Sequence, residues 1–304
     1  RLSHRADAER IDRVVDRAAR IARLRRTPRA ERRLALVLST YPGRADQIAH
    51  AVGLDAPAST VAALSTLQDA GYRITDAPDD GANLIRRLQQ DTFEVPLGAY
   101  RVAARWGAPD AAPALIDGAF RFPATRCGAV LVALQPERGD PRERALDYHD
   151  ARRPPRHAYV AFYLALQAQE EIDALVHMGA HGTLEWLPGK SVALSDACWP
   201  DALIGALPVV YPFVVNDPGE AAAAKRRLGA LTIGHMTPPL ATSGLGERLK
   251  PIERLLDEYS TADGLDPRRR DRLAQSIIDT ARDLGLDRDA GLNVEIIEDK
   301  GGPD

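Results

Sequence analysis

The sequence has little cysteine: Cys127 and Cys198 lie far apart and outside any C-x-x-C pair, so a disulfide framework and a structural zinc knuckle have no support. Lysine is almost as scarce, with Lys190, Lys225, Lys250 and Lys300 the only four among 40 basic residues. Against 43 acidic residues the net charge is −3, which marks no nucleic-acid partner. No apolar run approaches the roughly 18 residues a membrane-spanning helix needs. The opening RLSHRADAER lacks the apolar stretch of a signal peptide. These absences set the expectation of a cytoplasmic chain that binds neither membrane nor nucleic acid, with each cysteine a buried small hydrophobe. Internal repeats and low-complexity segments are also absent.

What is present fits a globular protein: 304 residues, 45% of them apolar, about two average domains in length. The start at Arg1 and the polar ending NVEIIEDKGGPD read as a piece of something larger. Twelve arginines fall in the first 33 residues, but Ile11, Val14, Val15, Ala18, Ile21 and Leu24 recur at helical spacing among five acids. That pattern predicts an amphipathic helix with its arginine face in solvent.

RLALVLSTYP (33–42), GAVLVALQP (128–136), DALVHM (173–178), PVVYPFVV (208–215) and ALTIG (230–234) read as buried strands. Helices are predicted within ADQIAHAVG, in STVAALSTLQDAGY capped by Ser59 or Thr60, over 157–171, after Asp217-Pro218 up to Gly229, and after Asp266-Pro267. Between Phe93 and Phe122 the pattern weakens and suggests a lobe boundary. The reading is an α/β fold of mainly parallel sheets flanked by helices, in one or two lobes. Its expected divisions are an N-terminal helix (1–32), a first α/β lobe (33–103), a second carrying the histidine motif (104–265), and a C-terminal helix and tail (266–304).

The chemistry concentrates in HMGAHGTLEWLPGK (177–190), which spaces His177, His181 and Glu185 four apart. On a helix they would share one face, but Gly179, Gly182, Pro188 and Gly189 oppose a helix, each glycine costing roughly 1 kcal/mol in its interior. His177 is instead expected at the carboxyl end of a strand, with a loop leaving it where open α/β sheets bind ligands. Imidazole and carboxylate are ligands for first-row divalent metals and proton acceptors near neutral pH. The glycines would admit a large flat ligand, on which Trp186 could stack. There is no H-E-x-x-H motif of a zinc hydrolase. His149 and His157 in LDYHDARRPPRHAY, and His235 after ALTIG, add groups of the same kind at loops or strand ends.

These stretches, with VNDPGEAAAAKRR and the upstream RRTPRAERRLALVLSTYPGRADQIAHAVGLDAPAS, resemble the large subunit of aerobic cobaltochelatase, the CobN type, and through it the porphyrin-binding subunit of magnesium chelatase. The resemblance runs from about Arg25 to about Asp266, with an apparent shortening between Tyr100 and Trp106. It implies a subunit that binds hydrogenobyrinic acid a,c-diamide and Co²⁺ as substrates in cobalamin biosynthesis. Two smaller AAA+-type subunits would hydrolyse the ATP that drives insertion. By motif it assigns His181 and Glu185 to catalysis, and His181, Glu185 and His177 to the metal, with His149 and His157 in support at the ring; Trp186 by stacking and Lys190 by pairing with peripheral carboxylates are the further ring contacts expected from their chemistry. Insertion of Mg²⁺ into protoporphyrin IX, or a non-catalytic tetrapyrrole-binding module, stay open as alternatives. A piece of this length is expected to be inactive alone.

Overall fold

The computed structural model describes residues 5–39, 48–49, 51, 54–103, 117–139, 150, 152–168, 170–179, 182–214, 218–235, 249–261, 267–284 and 286. Among them, seven strands form one sheet: β1 (Leu34–Leu38), β2 (Thr92–Pro96), β3 (Ala119–Cys127), β4 (Val130–Leu134), β5 (Ala174–Met178), β6 (Val209–Val214) and β7 (Leu231–His235). Their order is β2-β3-β4-β1-β5-β6-β7. From β4 to β7 the neighbours are parallel, and β2 and β3 add an antiparallel edge. Strands drawn from both expected lobes, 33–103 and 104–265, thus lie side by side in one sheet.

The apolar runs of β1, β4 and β5 became inner strands because both of their faces are covered, whereas the run at 230–234, expected to be buried, forms the edge strand β7 with Leu231 and Ile233 exposed. Ala35, Val37, Leu131, Ala133, Leu175, Val209 and Tyr211 point to one face, against α5 (His157–Ala168), α6 (Trp199–Ile204) and α7 (Pro218–Leu228). Leu34, Leu36, Leu38, Val130, Val132, Ala174 and Met178 point to the other, against α2 (Ala56–Asp69) and α3 (Gly81–Gln90). This is the period of two expected of strands. No helix is long and apolar enough to cross a membrane, among the described residues.

Four local expectations are corrected. Helix α2 starts at Ala56, and its cap is Asp55, whose Oδ1 accepts the Ala58 N–H at 2.9 Å. Thr60 lies inside the helix and donates its hydroxyl to the Ala56 carbonyl. Pro57 in the first turn supports this earlier start. The weak stretch from Phe93 to Phe122 contains β2, α4 (Leu97–Ala103) and the start of β3. In β2 only Phe93 and Val95 are buried, an alternation that reads as weak beside a fully apolar run. A helix went unnoticed at α8 (Lys250–Thr261), which packs on α9 (Pro267–Asp283) in a second compact unit, 239–304. The helix expected in ADQIAHAVG falls largely outside the described residues.

The fourth correction concerns α1 (Ala8–Arg26), which forms as expected but is turned over. Over its first three turns the arginines reach toward the protein, whereas Arg25 and Arg26 are exposed and Leu24 packs against the core. Arg10 and Arg13 both reach the Asp201 carboxylate at 3.1 Å, and Arg23 reaches Asp173 at 3.2 Å. Arg17 donates to the carbonyls of Gly205 at 3.2 Å and Leu228 at 2.9 Å, the ends of α6 and α7. Arg17 passes so close to Gly229 that a Cβ there would overlap its guanidinium. Asp173 precedes β5, Gly205 precedes β6 and Leu228 precedes β7, so α1 runs along the edge from which the parallel strands start. Two buried carboxylates and the negative ends of two helices outweigh the apolar stripe in deciding which way the helix faces.

Candidate functional site

Among its described residues, the stretch 177–190 is not helical apart from a single 3₁₀ turn, Leu184–Trp186. His177 is the fourth residue of β5, pairs in register with Val37 of β1 and is fully buried. The chain then leaves the carboxyl end of the strand and from Gly182 passes between the sheet and α7.

Glu185 points inward from this loop and is also fully buried. Its Oε1 accepts the Gly182 N–H at 3.1 Å, and the Tyr211 hydroxyl from β6 donates to Oε1 at 3.2 Å and lies 3.4 Å from Oε2. Tyr211 also stacks on the His177 imidazole, with centroids 4.9 Å apart and planes 9° from parallel. One tyrosine therefore joins the histidine of the strand to the glutamate of the loop.

Gly182 has a specific reason to be glycine. A Cβ there would fall on the Tyr211 hydroxyl and lie 3.0 Å from Cε1 and Nε2 of His177. The close backbone approach expected of these glycines is made, but toward the protein's own side chains.

A second layer of buried polar groups backs the cluster. Gln135, just past β4, donates through Nε2 to the hydroxyls of Tyr159 at 2.9 Å and Tyr163 at 2.7 Å. Tyr159 is hydrogen-bonded to Thr183 Oγ1 at 2.7 Å, and Tyr163 lies 3.5 Å from His177 Nε2. Burial pushes both phenols well above their ordinary pKa, so each keeps its proton at neutral pH. Their spacing of four on α5 turns both hydroxyls to one side. That spacing within an otherwise apolar helix was the available signal, and sequence reasoning passed over it.

Helix α7 holds the loop from outside. Arg227 donates to the main-chain carbonyls of Glu185, Leu187 (2.7 Å) and Lys190 (3.1 Å). The Trp186 indole N–H donates to Glu220 of the same helix. Cys198 is buried as expected, and its Sγ also accepts the N–H groups of Lys190 and Ser195, each at 3.4 Å. Burial acts to raise its pKa, but these hydrogen bonds and the Lys190 charge together leave it lowered. Cys127 does behave as a buried hydrophobe, and burial pushes its thiol up to about 11.

Of the residues singled out by sequence, His177 and Glu185 come together through Tyr211. Trp186 is half-buried and engaged by α7, and Lys190 is exposed on the loop's far end. His157 opens α5, where its Nδ1 is 2.6 Å from the Tyr100 hydroxyl. His235 is the last residue of β7, while His149 and His181 lie outside the described residues. Among the described residues no three His, Cys, Asp or Glu side chains group closely enough to hold a metal ion.

The model of the CobN/Magnesium Chelatase family matches residues 2–301. The chain belongs to that family. It is 43% identical to the aerobic cobaltochelatase subunit CobN of a Sinorhizobium species over 98% of its own length and 25% of the relative. To the chloroplastic magnesium-chelatase subunit ChlH of indica rice it is 33% identical, covering 95% of this chain and 22% of that one. Among solved structures, the catalytic subunit of cobaltochelatase from Mycobacterium tuberculosis matches with a TM-score of 0.67 and 38% identity, over 98% of this chain and 28% of that chain. The chain thus spans about a quarter of the length of the relatives it matches.

Proposed function

We propose that this span is the tetrapyrrole- and metal-handling part of a cobaltochelatase large subunit, which inserts Co²⁺ into hydrogenobyrinic acid a,c-diamide in cobalamin biosynthesis. The reading rests on the cluster at Glu185, a fully buried carboxylate held by a peptide N–H and a phenol beside His177. The identity of 43% to relatives named for cobalt, against 33% to the rice relative named for magnesium, favours the cobalt branch.

Insertion requires Co²⁺ to shed water while the inner pyrrole N–H protons depart. Glu185 accepts a proton, His181 is the leading metal ligand, and His177 supports both by packing under Tyr211. Because Glu185 is fully buried, it reaches a ring only after the segment at Gly182 shifts. The Gly182 and Tyr211 hydrogen bonds to the carboxylate contribute about 1 kcal/mol each to holding it in place. Two smaller AAA+-type subunits supply ATP hydrolysis, and the loop held by α7 is where that work is applied. His149, His157, Trp186 and Lys190 contact the ring or its peripheral carboxylates. The span is inactive by itself and acts within the full complex in the cytoplasm.

Magnesium insertion into protoporphyrin IX is the second reading, because relatives named for that metal match most of the chain. Spectral titration of the full-length subunit with hydrogenobyrinic acid a,c-diamide and with protoporphyrin IX separates the two. Tighter binding of the former is expected; preference for the planar porphyrin moves the assignment to magnesium. Failure to bind either ring removes the tetrapyrrole reading.

A further inference from the structure

The inverted orientation of α1 leaves an apolar stripe on the surface. Ile11, Val14, Val15 and Ile21 are between 45% and 68% exposed, and no residue of the helix is buried. With the exposed Ala18 between Val15 and Ile21, they recur at three- and four-residue intervals and so form one continuous ridge. Scattered single aliphatics on a surface are ordinary, whereas a ridge of them on one helix marks an interaction surface.

The orientation is fixed by the sequence. Arg10, Arg13, Arg17 and Arg23 engage Asp201, two helix-end carbonyls and Asp173 along the whole inner side of the helix. Gly229 leaves room for Arg17. Turning the helix to bury Val14 and Val15 would strand two buried carboxylates, at a cost of several kcal/mol. The ridge therefore stays outward and must be covered by something else.

We infer that the ridge is an intramolecular interface, covered by another part of the same full-length polypeptide. About three quarters of the length of the matched relatives lies outside this span, so most of the surface available to cover the ridge belongs to the same chain. A second copy fits less well: four aliphatic side chains on one helix offer far less area than the roughly 800 Å² per partner of a standard stable interface. A segment tethered to the same chain needs no such area, because its effective concentration is already high. The inference is independent of the assignment of Glu185, since α1 lies at the opposite edge of the sheet.

The test is Val14→Cys in the full-length subunit, with the rate of maleimide modification read by mass spectrometry of the peptide carrying residue 14. Arg86→Cys, at an exposed position of α3, is the reference. In the isolated subunit, modification at 14 is expected to be slower by about an order of magnitude or more, at every protein concentration, and to match the reference in urea. Equal rates without urea overturn the inference. Protection that grows with concentration assigns the ridge to a second copy, and protection that appears only when the other chelatase subunits are added assigns it to them. Ala18→Cys on the same outward side repeats the measurement should Val14→Cys fold poorly.

Discussion

The two edges of the sheet bury carboxylates in different ways. At the edge where the strands start, Asp201 is held by two guanidinium groups and Asp173 by Arg23 and the Arg33 peptide N–H. At the opposite edge, Glu185 is held by the Gly182 N–H and the Tyr211 hydroxyl, while the nearby Arg227 guanidinium donates to main-chain carbonyls. An acid clamped by guanidinium groups serves to dock a helix. The Gly182 N–H and the Tyr211 hydroxyl are neutral donors, which suits the proton-accepting role proposed for Glu185. A buried carboxylate thus docks a helix at one edge, and at the other it is the group proposed for the chemistry.

The comparison breaks most sharply at Gly182. Gly182→Ala puts a methyl group onto a hydroxyl whose ring is buried and stacked on His177, so Tyr211 has no free direction in which to yield. A loss of about 3 kcal/mol in the local stability of the loop is expected, with insertion by the complete complex abolished. Hydrogen exchange of the 177–190 segment reads the first effect and a metal-insertion assay the second.

Asp201→Asn comes next and leaves Arg10 and Arg13 without their acid. The arginines are partly exposed, so the expected cost is about 2 kcal/mol. It should appear as faster exchange across 8–26, with insertion nearly unchanged. Equal loss at both edges would mean that they are mechanically coupled.

Tyr211→Phe is the mildest, because the ring still stacks on His177 and only the hydroxyl is lost. A weakening of about 1 kcal/mol in the hold on the loop, and a fall of no more than about tenfold in insertion, are expected. A larger fall in insertion without added exchange would show that the hydroxyl takes part in proton transfer itself.

The central strands were legible because β1, β4 and β5 are apolar runs buried on both faces, and no other short pattern competes with that signal. The antiparallel edge was not, since β2 buries alternate residues in a segment interrupted by Pro96 and Gly98. The loop at 177–190 was readable from its glycines, and Glu185 stood out as the one carboxylate beside two histidines. What sequence could not give was the environment of that carboxylate. Tyr211 reaches it from β6, while Tyr159 of α5, Gln135 just past β4 and Arg227 of α7 arrive around its loop, and their convergence depends on parallel strands separated widely in sequence. The orientation of α1 escaped for a related reason: an amphipathic pattern tells which residues share a side, but not which side meets buried carboxylates.

Glu185→Gln in the full-length subunit, assayed with its partner subunits, tests the proton-acceptor role most directly. The amide keeps the size of the side chain and can still accept from Gly182 and Tyr211, so the loop should hold and ring binding should persist. Insertion should fall by roughly 10² to 10⁴, the usual contribution of a positioned base. Insertion at the unsubstituted rate, with the ring bound as tightly as before, would contradict the role given to Glu185.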